Sequence, residues 1–230
     1  ADGRVLVAGG ENPTSRKDYN LAEVYDPSSG EWSTTGSMEE THTRDKAVLL
    51  EDGTVILAGK LLSEIYDPST GEWSSAGSLV KQREGGYTFV KLDDGRALVA
   101  GGETLRGRSS DGNPTNQDAV GGVMASHDAF LVGTPKTEIY DPATGKWLAA
   151  TNMIEVRKLH PGVLLEDGRF LVFGPLNAEM YDSLQNEWTL NGILLKERGY
   201  GFTATLMGDG KVLVVGGNEG YDPFLPATNK

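Results

Sequence analysis

Short apolar runs alternate with polar turns along the whole chain, and the runs recur in a fixed order. In the clearest unit AVLL (47–50) and TVILAG (54–59) are apolar strands joined by a tight turn at Glu51-Asp52-Gly53. SEIYD (63–67) is a third strand ended by Pro68, and EWSSAG (72–77) a fourth after the turn at Thr70-Gly71. Glycine supplies the positive φ of such hairpins, and proline cannot continue a ladder. The first two strands are apolar without alternation, as expected when both sheet faces are covered. Four strands in this order predict an antiparallel meander, one blade of a propeller.

The unit restarts along the sequence. Asp-Gly followed by an apolar strand occurs at Asp2, Asp52, Asp94, Asp167 and Asp209. Tyr-Asp follows at Tyr25, Tyr66, Tyr140, Tyr181 and Tyr221, and a tryptophan seven residues later at Trp32, Trp73, Trp147 and Trp188. Successive tyrosines are 41, 41 and 40 residues apart, except that Tyr66 to Tyr140 is 74. A strand-only period of about 40–50 residues marks a propeller or similar array. The fold class expected is all-β, one β-propeller domain over 1–230.

The long interval has two readings. One is a plain insertion between Gly102 and Lys136, although structureless loops of that length are uncommon in compact domains. The other is a degenerate blade, because GVMASHDAFLVG (122–133) aligns with GVLLEDGRFLV (162–172), with Ser126-His127-Asp128 in place of the turn. We adopt the degenerate blade. It gives six blades, at 1–38 with closure from the C-terminal end, 46–78, a shortened 87–120, 121–150, 161–190 and 200–230; five is the alternative.

These words resemble the kelch repeat in its bacterial form, which also builds galactose oxidase-like propellers. The resemblance rests on Gly9-Gly10, Gly101-Gly102 and Gly216-Gly217 ending the second strand, on the spaced tyrosines and on the fourth-strand tryptophans. It implies a kelch-type β-propeller and leaves function open, since one fold hosts many tasks.

Composition narrows the field. A net charge of −12 argues against nucleic acid or an anionic membrane as main partner. The chain has no cysteine, which excludes disulfides, thiolate metal sites and cysteine nucleophiles. It also excludes the cysteine-crosslinked tyrosine cofactor of galactose oxidase. No cofactor and no metal are expected: Glu39, Glu40 and His42 lie along one irregular loop and define no coordination geometry. A monomer is expected, in a secreted or periplasmic bacterial setting.

In a meander the connections from strand two to three and from strand four to the next blade share one rim, here called the top. The polar variety collects there. Arg83, Arg157 and Arg198 each precede an innermost strand, at the mouth of the central channel. Three converging guanidiniums would anchor an anionic or sugar-acid ligand; alternatively they tie adjacent blades through carbonyls or a neighbouring glutamate. Arg44, Asp45, Arg106 and Arg108 are further candidate ligand contacts, the last two in the loop-like segment 103–120; a second such segment is 11–20. His160, three residues after Arg157, is the candidate acid/base, with Glu155 or Glu197 as its partner.

Three functions fit: a module binding a small anionic or carbohydrate ligand, or a protein, through its top rim; a small propeller enzyme of the sugar-acid isomerase, epimerase or lyase type; and a lectin. No nucleophile elbow, zinc-protease, Walker or dinucleotide motif occurs. The recurring tyrosines and tryptophans read as inter-blade packing before sugar stacking.

Overall fold

The computed structural model describes residues 3–108, 114–118 and 129–218; for 106–108, 114–118 and 129–130 it describes the backbone alone. Every regular element among them is a β-strand, and every pairing is antiparallel. The fold is all-β, a kelch-type propeller built of meander sheets.

The first sheet has three strands, β1 (Val5–Ala8), β2 (Ala22–Asp26) and β3 (Glu31–Thr34). The second is a complete meander of β4 (Lys46–Leu49), β5 (Val55–Ala58), β6 (Leu62–Asp67) and β7 (Glu72–Ser78). The third opens with β8 (Gly85–Lys91) and β9 (Ala97–Arg108), carries β10 (Pro114–Asp118) and β11 (Ala129–Gly133) on the far end of β9, and finishes with β12 (Thr137–Asp141) and β13 (Lys146–Ala149). The fourth is again a complete meander, β14 (Gly162–Leu164), β15 (Phe170–Phe173), β16 (Asn177–Asp182) and β17 (Glu187–Ile193). The fifth holds β18 (Phe202–Leu206) and β19 (Val212–Gly216). First strands of neighbouring sheets touch, β4 with β8 and β14 with β18, so the sheets fan outward from a common axis.

This pairing corrects the degenerate blade. β12 lies directly against β9, with Thr137 opposite Ala100 and Tyr140 opposite Ala97. Residues 137–149 are therefore the outer half of the sheet begun at 85, and not of a blade begun at 121. β9 runs on past Gly101-Gly102, and β11 returns along it with Leu131 opposite Leu105. The end of β9 and the strands β10 and β11 thus extend this sheet between its second and third strands, and five sheets stand among the described residues. Ser126-His127-Asp128 lies outside them.

The turn words act locally, as their chemistry demands. Asp52, Asp94, Asp167 and Asp209 each accept the backbone N–H two residues on, an Asx turn. Asp26, Asp67, Asp141 and Asp182 do the same at the third-strand ends. Tyr66 and Trp73, Tyr140 and Trp147, and Tyr181 and Trp188 stack across neighbouring strands with centroids 5.0–5.4 Å apart. Trp147 also donates to Ser63 Oγ of the second sheet at 2.6 Å, so it joins two sheets.

The double glycine marks where the following connection crosses the end of a second strand. Gly10 donates to His42 O at 2.8 Å, and Gly102 to Arg157 O at 2.9 Å. At Gly101 φ is +68°, and a Cβ would sit 2.6 Å from both Arg157 O and His160 Cε1. Gly145 has a similar φ of +66° with open space around it. Gly145→Ala is expected to cost the ~1–2 kcal/mol of left-handed strain. Gly101→Ala is expected to cost distinctly more, because backbone must also move; urea midpoints of the two variants test the difference.

Candidate binding site at the channel mouth

Each connection into a new blade carries the same word: an apolar residue, then a cation four positions on. The words are Met38…His42, Leu79…Arg83, Met153…Arg157 and Leu194…Arg198. The first three close on a glutamate of the third strand. Glu64 accepts the N–H of Glu39 and Glu40 at 2.8 and 3.1 Å and His42 Nε2–H at 2.9 Å. Glu138 accepts from Val80 N, from Lys81 N at 3.1 Å and from Arg83 Nη2 at 2.7 Å. Glu179 accepts from Ile154 N at 2.6 Å, Glu155 N at 3.0 Å and Arg157 Nε at 3.0 Å. All three carboxylates are at most 3 % exposed. A buried carboxylate is tolerated when it is paired and its lone pairs are met.

This geometry decides the arginines. Arg83 is fully buried and also donates to Gly101 O and Lys136 O, and Arg157 donates to Asn177 Oδ1 at 2.6 Å. Their charge is met inside the fold, so the expected converging anion anchor is replaced by inter-strand struts. Arg198 donates to Gly216 O at 2.6 Å, the position equivalent to Gly101. Asp45 faces inward, accepting from His42 Nδ1–H at 2.9 Å and from Tyr87 Oη at 3.3 Å. Arg106 and Arg108 are placed only as backbone positions on β9, and their side chains lie outside the description.

The acid/base grouping is not brought together either. His160 is 7 % exposed, and neither ring nitrogen has a hydrogen-bond partner among the described residues. Burial, then the charges of Arg157, Lys46 and Arg83, push its pKa down to about 3, so the ring is neutral. Glu155 accepts from Asn177 Nδ2 at 2.7 Å, and Glu197 is exposed at the rim.

What does reach the mouth is the residue two positions after each cation: Arg44, Gly85, Leu159 and Tyr200. All four line one hollow of about 480 Å³, together with Lys46, Glu84 and Glu103. An adjoining hollow of about 400 Å³, walled by Leu131, Val156, Phe173 and Pro175, shares Leu159, His160, Tyr200 and Phe202 with it. Arg44 and Leu159 hold φ of +65° and +51°, a conformation that disfavours side-chain-bearing residues and collects at functional positions. The backbone N–H of Leu159 is fixed by Gly86 O at 2.7 Å. Lys60 pairs with Glu84 at 3.5 Å and Lys158 with Glu103 at 3.3 Å. Sequence reasoning named Arg44 and missed Leu159 and Tyr200; the signal was their constant offset from the cation.

The niches also set the pH response. Burial opposes a charged His42, but its hydrogen bonds to Asp45 and Glu64 outweigh burial and raise its pKa above 6.5. The folded state therefore holds this proton more tightly than the unfolded chain. Its contribution to stability is complete below pH 6.5 and is lost as pH rises through the folded pKa. His160 runs the other way, and stability declines as pH falls from 6.5 toward 3. Urea titrations at stepped pH are expected to show the wild-type advantage over His42→Gln shrinking above pH 6.5. The advantage over His160→Leu is expected to shrink on acidification below it. Arg83→Met, which strands Glu138, is expected to cost about 3–5 kcal/mol in the same assay.

Comparison with known proteins fits the geometry. The Kelch motif family model matches residues 1–39. "Kelch-like protein 7" of Rattus norvegicus and that of Mus musculus are each 42% identical over 59 residues, 23% of this chain and 10% of theirs. The chain thus matches about a tenth of the length of these curated relatives. Both are mammalian, whereas the sequence reading expected the bacterial form. Residues 1–39 carry a Kelch motif, and the fold of the chain is a kelch-repeat fold.

Proposed function

We propose that the protein is a protein-binding module whose contact surface is the channel mouth and the top rim around it. Kelch repeats generally mediate protein binding. The observation that carries the choice of surface is the position two residues after each cation. There the connecting segments, three of them locked by a buried strut, bring four different residues, Arg44, Gly85, Leu159 and Tyr200, to one hollow. The frame is shared by three of the four connections while the presented chemistry differs, as in a recognition surface built on rigid elements.

The rim has the mixed character of an interface. Leu21, Leu61 and Leu176 are exposed in the second-to-third-strand connections, as are Val80, Ile154 and Leu195 in the inter-blade words. Arg44, Lys46, Glu84 and Glu103 bring charge to the hollow itself. An apolar anchor of the partner entering the hollow beside Leu159 and Tyr200, within a polar border, is the arrangement that concentrates binding energy.

Affinity capture on the immobilised protein, followed by titration of the purified partner, tests the reading. Val156→Asp combined with Leu159→Asp is expected to weaken binding tenfold or more. Leu184→Asp, exposed on the opposite rim, is expected to leave it unchanged. The reverse pattern would move the contact to the bottom rim and end the proposal.

A further inference from the structure

One of the buried cations can lose its charge. Arg83 and Arg157 seal Glu138 and Glu179, and a guanidinium stays protonated across the pH range of folded proteins. Glu64 is sealed by His42 instead, and the charge of an imidazole changes near neutral pH. Both ring nitrogens of His42 face carboxylate oxygens, Nδ1 at 2.9 Å from Asp45 Oδ2 and Nε2 at 2.9 Å from Glu64 Oε1. Only the protonated ring has two N–H groups to donate. In the neutral ring one nitrogen carries a lone pair, which is then pressed against a carboxylate oxygen.

The ring has no room to turn away. A Cβ at Gly59 would sit 2.7 Å from His42 Cε1, and one at Gly9 2.3 Å from His42 O, so the residue is wedged between the ends of β5 and β1. Its backbone N–H bonds Tyr19 O at 3.2 Å. Glu64 is equally fixed, bonded on β6 by the N–H groups of Glu39 and Glu40. Asp45 is the member that can move. It stands on the connection, where its second partner is the Tyr87 hydroxyl at 3.3 Å. Burial pushes the Tyr87 pKa up, so that hydroxyl stays a donor. Burial opposes charge on the His42 ring, but Asp45 and Glu64, the charged groups that face it among the described residues, prevail.

Arg44 lies between His42 and Asp45 and lines the hollow at the mouth with φ of +65°. A side-chain-bearing residue keeps such a conformation only where its surroundings over-determine it. Leu159, its counterpart, is fixed by the bond from its own N–H to Gly86 O; among the described residues Arg44 N–H makes no such bond. The contacts of His42 and Asp45 on either side hold Arg44 instead. We infer that His42 is a proton-operated latch on the channel mouth. With the ring protonated, Asp45 and Glu64 are tied through it and Arg44 is fixed. When Nδ1 gives up its proton to water, Nε2–H stays on Glu64, Asp45 swings away from the lone pair, and Arg44 is released. The mouth presents a fixed cation below this transition and a loose one above it, while the connections sealed by Arg83 and Arg157 do not respond. The latch lies within one connection and does not depend on what binds at the mouth.

Nitrogen-15 NMR of the His42 ring, with backbone hydrogen exchange on the complete chain, tests this from pH 6.5 upward. Lys46 N–H bonds Tyr87 Oη, the hydroxyl shared with Asp45. Its protection, corrected for the intrinsic pH dependence of exchange, is expected to fall at least tenfold where the ring loses its proton. Glu155 and Leu159 N–H, on the connection sealed by Arg157, are expected to keep theirs. Asp45→Asn offers an amide N–H to the neutral Nδ1, and is expected to hold Lys46 N–H equally protected on both sides of the ring transition. His42→Gln, which has no such proton to lose, is expected to show no step at all. Unchanged protection of Lys46 N–H through the ring titration of the wild type overturns the proposal. The same fall in Asp45→Asn also overturns it, as does a ring already neutral at pH 6.5.

Discussion

A carboxylate buried on the middle of a sheet cannot be satisfied by its own strand, whose backbone groups are engaged in the ladder. Glu64, Glu138 and Glu179 are in that position, and each is met by two consecutive N–H groups and a cation from one connecting segment. Removing either partner leaves an uncompensated charge in the interior, which is why the pairing fixes geometry even where its net energy is small. The path of the connection is thereby set, since two backbone N–H groups and a side chain must converge on one carboxyl. From that follow the crossing at the double glycine, the burial of the cation and the place where the chain enters the next first strand.

How much of this was legible depended on the range of the interaction. The Asp-Gly and Tyr-Asp words act over two residues, through Asx turns and hairpins, so spacing alone placed them. The third sheet was misread because GVMASHDAFLVG carries a strand-turn-strand pattern, and apolar pattern does not say which strand a segment pairs with. β11 lies against the extension of β9, and β12 against its beginning. Both facts rest on register between residues far apart in sequence. The glutamates were visible, each two residues before a tyrosine, but in a chain of net charge −12 an acidic residue reads as surface. Arg83 and Arg157 were assigned to a ligand at the mouth, because the internal partner of each lies 22 to 55 residues away along the chain.

The same constraint bears on the proposed recognition at the mouth, where the presented residue differs from repeat to repeat. Once the cation is locked, the residue two positions later is carried to the channel whatever its identity. The niche supplies rigidity there, and the left-handed backbone at Arg44 and Leu159 is sustained by it and by the bond from Leu159 to Gly86. Side chains held this way lose little freedom on binding, which favours affinity without additional contact area.

The first sheet and the mouth share backbone. Gly9 and Gly10 follow directly from β1, and Gly10 donates to His42 O, two residues before Arg44 at the mouth. Among the described residues β1 is paired on one side only, and Val5 and Val7 on it are half exposed. Local opening of a sheet is governed by its own buried contacts, so this end of the fan opens more readily than the second, third and fourth sheets.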